Sequence, residues 1–294
     1  MSQPSSLPDE GKTPARSRGD SWTRWLTTNP RVLVSGGFLL LTIVAALLAP
    51  VITVAEPDRI MPQQRFLNPG QESLLGTDAM GRDLFSRVVY GARLSLLVAF
   101  GSVAIALVVG TLFGVISGYF GSIWEMVLMR ITDGILAFPS LLLAIFMVVF
   151  WGAQLISVVF IIGILYVPTF ARVTYSSTLS VRASDFVLAA RSAGAPEWLI
   201  MARYILPNIV APIIVQLSLA LGAAILLEAS LSFLGLGPDI RLPSWGRSIQ
   251  EGSRFLTLHP WGVVWPAIAI SATVLALNVF GDALRDRLDP RLIR

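Results

Sequence analysis

The chain has 294 residues, of which 54% are hydrophobic and 14% carry a charged side chain, against roughly 25% charged residues in a soluble domain. The mean hydropathy is +0.72. The absence of cysteine excludes disulfide frameworks and cysteine-based metal or redox sites. The net charge of +4 does not indicate a nucleic-acid partner, because the arginines are scattered over short loops and not gathered on one face.

Several apolar runs reach the roughly 20 residues that a helix needs to cross a bilayer. Their apolar residues do not alternate with polar ones, as they would in the strands of a membrane β-barrel. Because a helix satisfies its own backbone hydrogen bonds in lipid, we predict an all-α polytopic membrane protein. In chain order, the six predicted transmembrane helices cover residues 32–54, 94–119, 135–151, 155–171, 205–231 and 263–281.

The segments outside these spans differ in composition. Residues 1–31 are rich in Ser, Pro, Asp and Arg, and this predicts a disordered tail. The first span is longer than the apolar part of a signal peptide, so it predicts a membrane anchor. Residues 55–93 form a polar segment in which 79–93 predicts an interfacial amphipathic helix. A second amphipathic stretch, at residues 122–134, precedes the third span.

The distribution of basic residues predicts the orientation. With the N-terminus in the cytoplasm, the cytoplasmic pieces hold 14 of the 22 basic residues and the outer pieces hold the other eight. Lys and Arg in short loops are enriched on the cytoplasmic side. We therefore expect both tails, 1–31 and 283–294, in the cytoplasm, and residues 55–93 outside it.

The loop at residues 172–204 contains four arginines and two acidic residues. Placing these six charges in hydrocarbon would cost well over ~10 kcal/mol, so we expect the loop to lie in water. Ser184 or Asp185 can cap a short helix, Gly194 can end that helix in a left-handed turn, and Pro196 suits the first turn of the next one. The loop therefore predicts two short helices at an angle.

One set of residues in and just after this loop stands out: Ala189, Ala190, Arg191, Gly194, Leu206 and Pro207. They resemble the EAA loop of the permease subunits of ABC importers. In that motif Glu-Ala-Ala is followed by three residues, Gly, nine residues, Ile, one residue and Leu-Pro. Here Leu188 takes the place of the Glu and Tyr204 the place of the Ile. Small alanines suit close approach to a partner, and Arg191 offers several hydrogen-bond donors.

Two further stretches extend the resemblance. "LGTDAMGRDLFSRVVYGARLSL", at 75–96, and "EASLSFLGLG…PSWGRSI", at 228–249, are similar to signature stretches of the C-type subunit of dipeptide and oligopeptide permeases. The resemblance implies the type I permease fold of ABC importers, with an anchor at 32–54, an extracytoplasmic segment at 55–93 and a permease core at 94–282. It also implies location in a bacterial-type inner membrane.

The resemblance implies a complex. Its expected members are this chain, a paralogous permease subunit, two ATP-binding subunits and an extracytoplasmic solute-binding protein, acting on a peptide-like solute. Asp185 and Glu197 join the EAA-type residues as expected contacts to the ATPase. The chain's only lysine lies in "GKT" at 11–13, without the first glycine of a P-loop. We therefore expect no catalytic residue and no cofactor in this chain, with ATP and Mg bound by the partner subunits.

Other readings stay open at this point. The same type of complex can import nickel chelates, glutathione or opines, and no residue in the sequence discriminates among these solutes. Two different classes are an ion-driven secondary transporter, which calls for broken helices with ionisable residues at mid-membrane, and a non-transporting membrane scaffold.

Within the predicted spans, small and polar residues form two kinds of candidate. Gly110, Gly114 and Gly118 form a small-residue repeat that predicts close helix packing. Gln216, Ser271 and Asn278 are polar residues inside spans, and such residues tend to face a helix interface or a water-filled path. They are candidates for the translocation path.

Five residues near the predicted outer side are candidates for a gate or scaffold: Arg82, Asp83, Arg87, Glu228 and Trp245. The spacing of Asp83 and Arg87 predicts an ion pair one helical turn apart. Glu228 is expected to pair with an outer arginine. His259 is the only histidine of the chain, so we expect no histidine-based metal or protease centre.

Overall fold

The fold is described by a computed structural model that covers residues 25, 27–53, 55–70, 72–238 and 243–288. The predicted tail at 1–31 lies largely outside the described residues, as do residues 289–294 of the second predicted tail. Within these ranges the elements are α1 (Pro30–Leu47), α2 (Ala49–Ile52), α3 (Leu84–Phe120), α4 (Ser122–Leu136), α5 (Ser140–Trp151), α6 (Leu155–Arg182), α7 (Asp185–Ser192), α8 (Glu197–Phe233), α9 (Trp245–Ser253) and α10 (Trp261–Leu288).

Five of these helices are long and apolar enough to cross a membrane: α1, α3, α6, α8 and α10. A sixth span forms if α4 and α5 count together, since they meet at 91° across a break of a few residues. Pro139 lies in that break and is the N-cap of α5. Its ring and missing N–H prevent a straight helix from continuing through it. The predicted third span, 135–151, is therefore a bent pair that includes the amphipathic stretch at 122–134.

Several helices extend beyond the predicted spans. α3 begins at Leu84 and not at 94, so residues 84–93 are the first turns of a spanning helix and not a separate interfacial helix. α6 continues to Arg182, which makes the first part of the predicted 172–204 loop helical. In both cases the extra turns are polar but packed: Arg87 and Thr174 are buried. Hydropathy marks the lipid-facing length of a helix, whereas packing sets its end.

α3 and α6 run in parallel and are held together through three glycines. A Cβ added at Gly114 would lie 2.5 Å from the Ala171 carbonyl oxygen, and one at Gly110 would lie 2.6 Å from that of Val167. Gly118 faces Thr178 of α6 in the same way. The predicted packing role of this repeat is confirmed, because only glycine leaves room for the neighbouring backbone.

The bundle has two distinct ends. α8 and α10 are antiparallel, since Ser218 faces Gly281 and Gly222 faces Asn278. One end gathers the start of α3, residues 55–83 and α9, and is called the Leu84 end. The other gathers the last turns of α3 and α6 with α7, and is called the Tyr119 end. The last turns of α10 point towards the Tyr119 end, and Asp286 lies 3.8 Å from Arg31 near the start of α1.

Candidate functional site

Residues 185–205, called the coupling segment, form a helix, a turn and a second helix at the Tyr119 end. α7 ends in a hydrogen-bonded cap: the Ala195 N–H donates to the Ala190 carbonyl at 3.1 Å, and the Gly194 N–H donates to that of Arg191 at 3.0 Å. Gly194 has φ +78°, as this cap requires. The predicted first short helix and the left-handed turn at Gly194 are confirmed, whereas the predicted second short helix is the start of the 37-residue helix α8.

Two details of the prediction differ. Pro196 is the N-cap of the following helix and not part of its first turn. Ser184 is the N-cap of α7, but its side chain makes no capping hydrogen bond; its carbonyl accepts from the N–H groups of Val187 and Leu188. The backbone alone satisfies these donors.

α7 presents most of its surface to the exterior and buries one side. Val187 is buried against the bundle, whereas Leu188, Ala189 and Arg191 are exposed and Ala190 is half-buried. Asp185, Gly194 and Glu197 are also exposed. Most of the predicted coupling residues are therefore accessible, whereas Ala190 packs partly against the bundle. The large apolar side chain of Trp198, next to Glu197 in sequence, is also exposed.

A buried tyrosine that the sequence reasoning did not single out joins this surface to the bundle. Tyr119, in the last turn of α3, is 1% exposed. Its hydroxyl donates a hydrogen bond to Glu197 Oε2, and the Arg191 guanidinium carbon lies 5.2 Å from the centre of its ring. Arg191 and Glu197 are themselves 3.8 Å apart. The sequence signal was an aromatic residue next to Gly118, at the end of the glycine repeat.

The Leu206–Pro207 part of the motif lies inside a helix, and not at the boundary between loop and span that the sequence predicts near residue 205. α8 begins at Glu197 and passes through a π-helical stretch, Ile200–Ile205, before continuing as an α-helix from Leu206. Leu206 and Pro207 are exposed. Pro207 has no N–H to donate to the preceding turn. The π-helical turns, which are wider than α-helical ones, come immediately before this proline.

The Leu84 end carries a cluster of buried charges. Arg82 and Arg87 are 8% and 2% exposed, and both donate to Glu251 Oε2 of α9, Arg87 at 2.9 Å. Arg82 Nε also donates to Asp78 at 2.6 Å, and Arg87 Nη1 to Asp58 at 3.2 Å. This charged cluster (Asp58, Asp78, Arg82, Arg87 and Glu251) joins residues 55–83 to α3 and α9.

Asp83 does not pair with Arg87, so that prediction was wrong. Asp83 is the N-cap of α3, and its Oδ2 accepts from the N–H and the hydroxyl of Ser86, both at 2.7 Å. As an N-cap its backbone is extended, so its side chain points at the helix start and not along its face. Arg87 takes its carboxylates from Glu251 and Asp58 instead.

Burial and nearby charges shift the pKa values of Glu251 and His259, which lie outside the spans. Burial alone would raise the pKa of Glu251, but the positive charges of Arg87 and Arg82 outweigh it and lower that pKa. Burial lowers the pKa of His259, a change partly offset by its hydrogen bond to the Thr77 backbone and by the charge of Asp78. His259 packs against the Phe66 ring, 5.5 Å between ring centres, and so favours the neutral form.

Glu228 lies fully buried in α8 and makes no ion pair with an arginine among the described residues, contrary to the prediction. Serine hydroxyls donate to it, Ser95 Oγ at 2.8 Å and Ser232 Oγ at 2.7 Å, and the Ser244 side chain is also hydrogen-bonded to it. The contact with Ser95 ties α8 to α3. Trp245, at the start of α9, is buried over Gly91, and its Nε1 donates to the Val88 carbonyl at 2.9 Å.

The three polar candidates for a translocation path are dispersed. Ser271 is exposed in an apolar groove between α5, α8, α9 and α10. Asn278 is half-buried and faces Gly222 of α8, and Gln216 is half-buried in α8. The structure does not bring the three into one site. Across the described ranges, no three His, Cys, Asp or Glu residues lie close enough to hold a metal ion.

Comparison with known proteins agrees with this architecture. The chain is 41% identical over 292 residues to the dipeptide transport system permease protein DppC of Alkalihalophilus pseudofirmus, covering 99% of this chain and 95% of the relative. It is 41% identical over 261 residues to the di/tripeptide transport system permease protein DppC of Pseudomonas aeruginosa, covering 87% and 86%. It is 38% identical over 283 residues to the glutathione transport system permease protein GsiD of Pectobacterium atrosepticum, covering 96% and 92%.

Residues 110–294 match the family described as binding-protein-dependent transport system inner membrane component. This match takes in the bent pair, the coupling segment, α9 and the last span, which is the region with the EAA-type residues. With several apolar helices and relatives that align over almost the whole chain, the protein belongs to this family of inner-membrane transport components.

Proposed function

We propose that the chain is the permease subunit of an ATP-driven importer of di- and oligopeptides, and that its coupling segment docks on a cytoplasmic ATPase subunit. The observation that carries the proposal is the accessible helix–turn–helix at 185–205, which exposes Ala189, Arg191 and Gly194 and contacts the end of a spanning helix through Glu197. The relatives' names support a peptide-like solute.

The proposed complex contains a paralogous permease subunit, two ATP-binding subunits and an extracytoplasmic solute-binding protein. ATP and Mg bind to the ATP-binding subunits, and this chain contributes no catalytic group. In this arrangement the Tyr119 end, with both tails, faces the cytoplasm, and the Leu84 end faces the solute-binding protein. The excess of basic residues in the cytoplasmic pieces supports this orientation.

In the proposed cycle, ATP draws the two ATPase subunits together and carries the coupling segment with them. The spans then reopen outward to receive solute, and hydrolysis returns the path to the inside. α7 suits this transfer because Val187, near its start, is buried against the bundle and Arg191, near its end, lies over the buried Tyr119 ring. A short helix that is fixed at both ends moves as a rigid unit.

The test is a double variant, Arg191→Glu with Gly194→Val. A Cβ added at Gly194 has nothing within 4 Å, so the main cost of the substitution is the left-handed backbone, about 1–2 kcal/mol for a non-glycine residue. We expect the variant to insert in the membrane but to lose ATPase association and solute-stimulated ATP hydrolysis. Normal uptake and ATP hydrolysis by this variant would remove the coupling role.

Gly152→Val is the matched control. Gly152 also has a positive φ, +87°, and nothing within 4 Å of an added Cβ. It lies between α5 and α6, on the side of the Leu84 end, away from the coupling segment. We expect this control to retain ATPase association, so a shared backbone cost cannot explain a loss in the double variant.

The solute can be tested separately. The glutathione relative makes a tripeptide-like solute a specific alternative to dipeptides. We expect labelled dipeptide uptake by the reconstituted complex to be competed by unlabelled di- and tripeptides. Competition by glutathione alone would assign the alternative solute and leave the coupling role in place.

A further inference from the structure

Tyr119 occupies an unusual place for a buried aromatic residue. It lies in the last turn of the 37-residue helix α3 and is 1% exposed. The Tyr119 hydroxyl donates a hydrogen bond to Glu197, and the Arg191 guanidinium carbon lies over one face of the ring, 5.2 Å from its centre. Arg191 is on α7 and Glu197 begins α8. A single ring therefore contacts both sides of the Gly194 turn.

We propose that Tyr119 is a positioning residue that makes α3 follow the movements of the coupling segment, an inference that rests on the proposed function. Two kinds of contact meet at this ring. The hydroxyl bond to a carboxylate is directional and strong for its size, whereas the guanidinium over the ring face tolerates sliding. The hydroxyl thus fixes the register between α3 and the start of α8, and the ring holds α7 close.

The end of α3 is also attached to α6, so a displacement at Tyr119 reaches a larger unit. Gly118 packs against Thr178, and Arg182 Nη1 donates to the Gly118 carbonyl at 3.3 Å. Because the glycine repeat leaves the two backbones in direct contact, α3 and α6 cannot slide past each other without separating. Moving the coupling segment therefore displaces both helices if the Tyr119 contacts hold.

The chain offers a matched comparison at the same end of the bundle. Tyr175 of α6 also donates its hydroxyl to a glutamate, Glu125 of α4, at 2.5 Å. Its ring and hydroxyl are not bonded to the coupling segment. Tyr175→Phe therefore removes the same chemical group as Tyr119→Phe and leaves the contacts of Arg191 and Glu197 unchanged.

The experiment uses the complete importer in proteoliposomes, with ATP hydrolysis and import of a labelled dipeptide measured on the same vesicles. We expect Tyr119→Phe to insert, to retain its ATPase subunits and to hydrolyse ATP. Import per ATP should fall by roughly tenfold, the factor that a lost hydrogen bond to a charged group can produce. Tyr175→Phe should keep the wild-type ratio. A change in general stability alone would not separate hydrolysis from import.

Two results would overturn the proposal: a wild-type ratio in Tyr119→Phe, or equal losses in Tyr119→Phe and Tyr175→Phe. The double variant Tyr119→Phe with Glu197→Ala adds a second criterion. If the two groups act through one bond, it should be no worse than Glu197→Ala alone, and additive losses would contradict the link. Failure of the proposed function is recognisable separately, because ATPase association would then be insensitive to Arg191→Glu with Gly194→Val.

Discussion

Gly114→Ala tests the close packing of α3 on α6, on which the rigidity of the bundle depends. An added Cβ would lie 1.7 Å from Thr174 Oγ1 and 2.5 Å from the Ala171 carbonyl oxygen, against an ordinary contact of 3.4 Å. The threonine hydroxyl can rotate, but the carbonyl belongs to a helix backbone, so the helices must separate by close to 1 Å. Overpacking of this kind costs about 1–3 kcal/mol.

The predicted magnitude is graded along the repeat. The nearest carbonyl oxygen lies 2.6 Å from a Cβ at Gly110 and 3.0 Å from one at Gly118, so Gly110→Ala should follow Gly114→Ala closely and Gly118→Ala should be milder. Gly37→Ala in α1 is the control, because nothing lies within 4 Å of its Cβ. Alanine is otherwise the better helix residue by roughly 0.5–1 kcal/mol.

Thermal unfolding in detergent, followed by the fluorescence of the eight tryptophans, measures this order. For a chain of this size the cost at Gly114 corresponds to a Tm lower by roughly 2–10 °C, with Gly37→Ala unchanged or slightly raised. If Gly114→Ala melts at or above the wild-type temperature, the close contact of these backbones is not what holds α3 to α6.

Three further predictions concern the Leu84 end. Glu251→Gln at neutral pH should destabilise it by about 3 kcal/mol, since two buried guanidiniums lose their shared charge, seen as faster trypsin cleavage after Arg59. Because the pKa of Glu251 is lowered in the fold, this contribution is full above its ordinary value of 4.5 and is lost as the pH falls through the lowered value; the difference from wild type should therefore shrink at low pH. Glu228→Gln should melt near wild type. Glu228→Leu, which removes the acceptor of the serine side chains around it, should lose at least about 1 kcal/mol; equal loss of stability in both variants would indicate a charge partner. Trp245→Phe keeps the ring over Gly91 but removes the bond to the Val88 carbonyl, so its melting temperature should fall by the equivalent of about 1 kcal/mol, and no change would show that this bond is not stabilising.

Features encoded in local chemistry could be predicted from the sequence. The apolar runs predicted the membrane-spanning segments, because lipid allows few other structures. Gly194 predicted the left-handed cap and the Gly110 repeat predicted close packing, since in each case only glycine meets the backbone requirement. The exposure of the EAA-type residues could also be predicted, because the charges of their loop favour water over lipid.

Features that depend on partners distant in the chain could not be predicted from the sequence. Arg87 donates to Glu251, which lies 164 residues further along the chain, and no spacing rule connects the two. Asp83 lies only one turn from Arg87, but its side chain caps the helix. Glu228 is satisfied by Ser95, 133 residues earlier. The role of Tyr119 could not be predicted for the same reason. Its contacts depend on where α7 and α8 return to the bundle, and its neighbours in sequence do not indicate this.

The distribution of helix irregularities bears on how a bundle like this can move. α3 has no internal proline, spans 37 residues and so extends about 55 Å at 1.5 Å per residue. One end carries the charged cluster and the other carries Tyr119. Helix irregularities lie elsewhere in the bundle: the 91° angle between α4 and α5, the π-helical stretch of α8, and the prolines inside α6, α8 and α10. A straight helix transmits a displacement over its whole length, whereas π-helical turns and bends absorb one. If the coupling segment moves α3, the charged cluster must therefore move with it or break, and the change in shape between the two ends must be taken up at these irregular positions of the other helices.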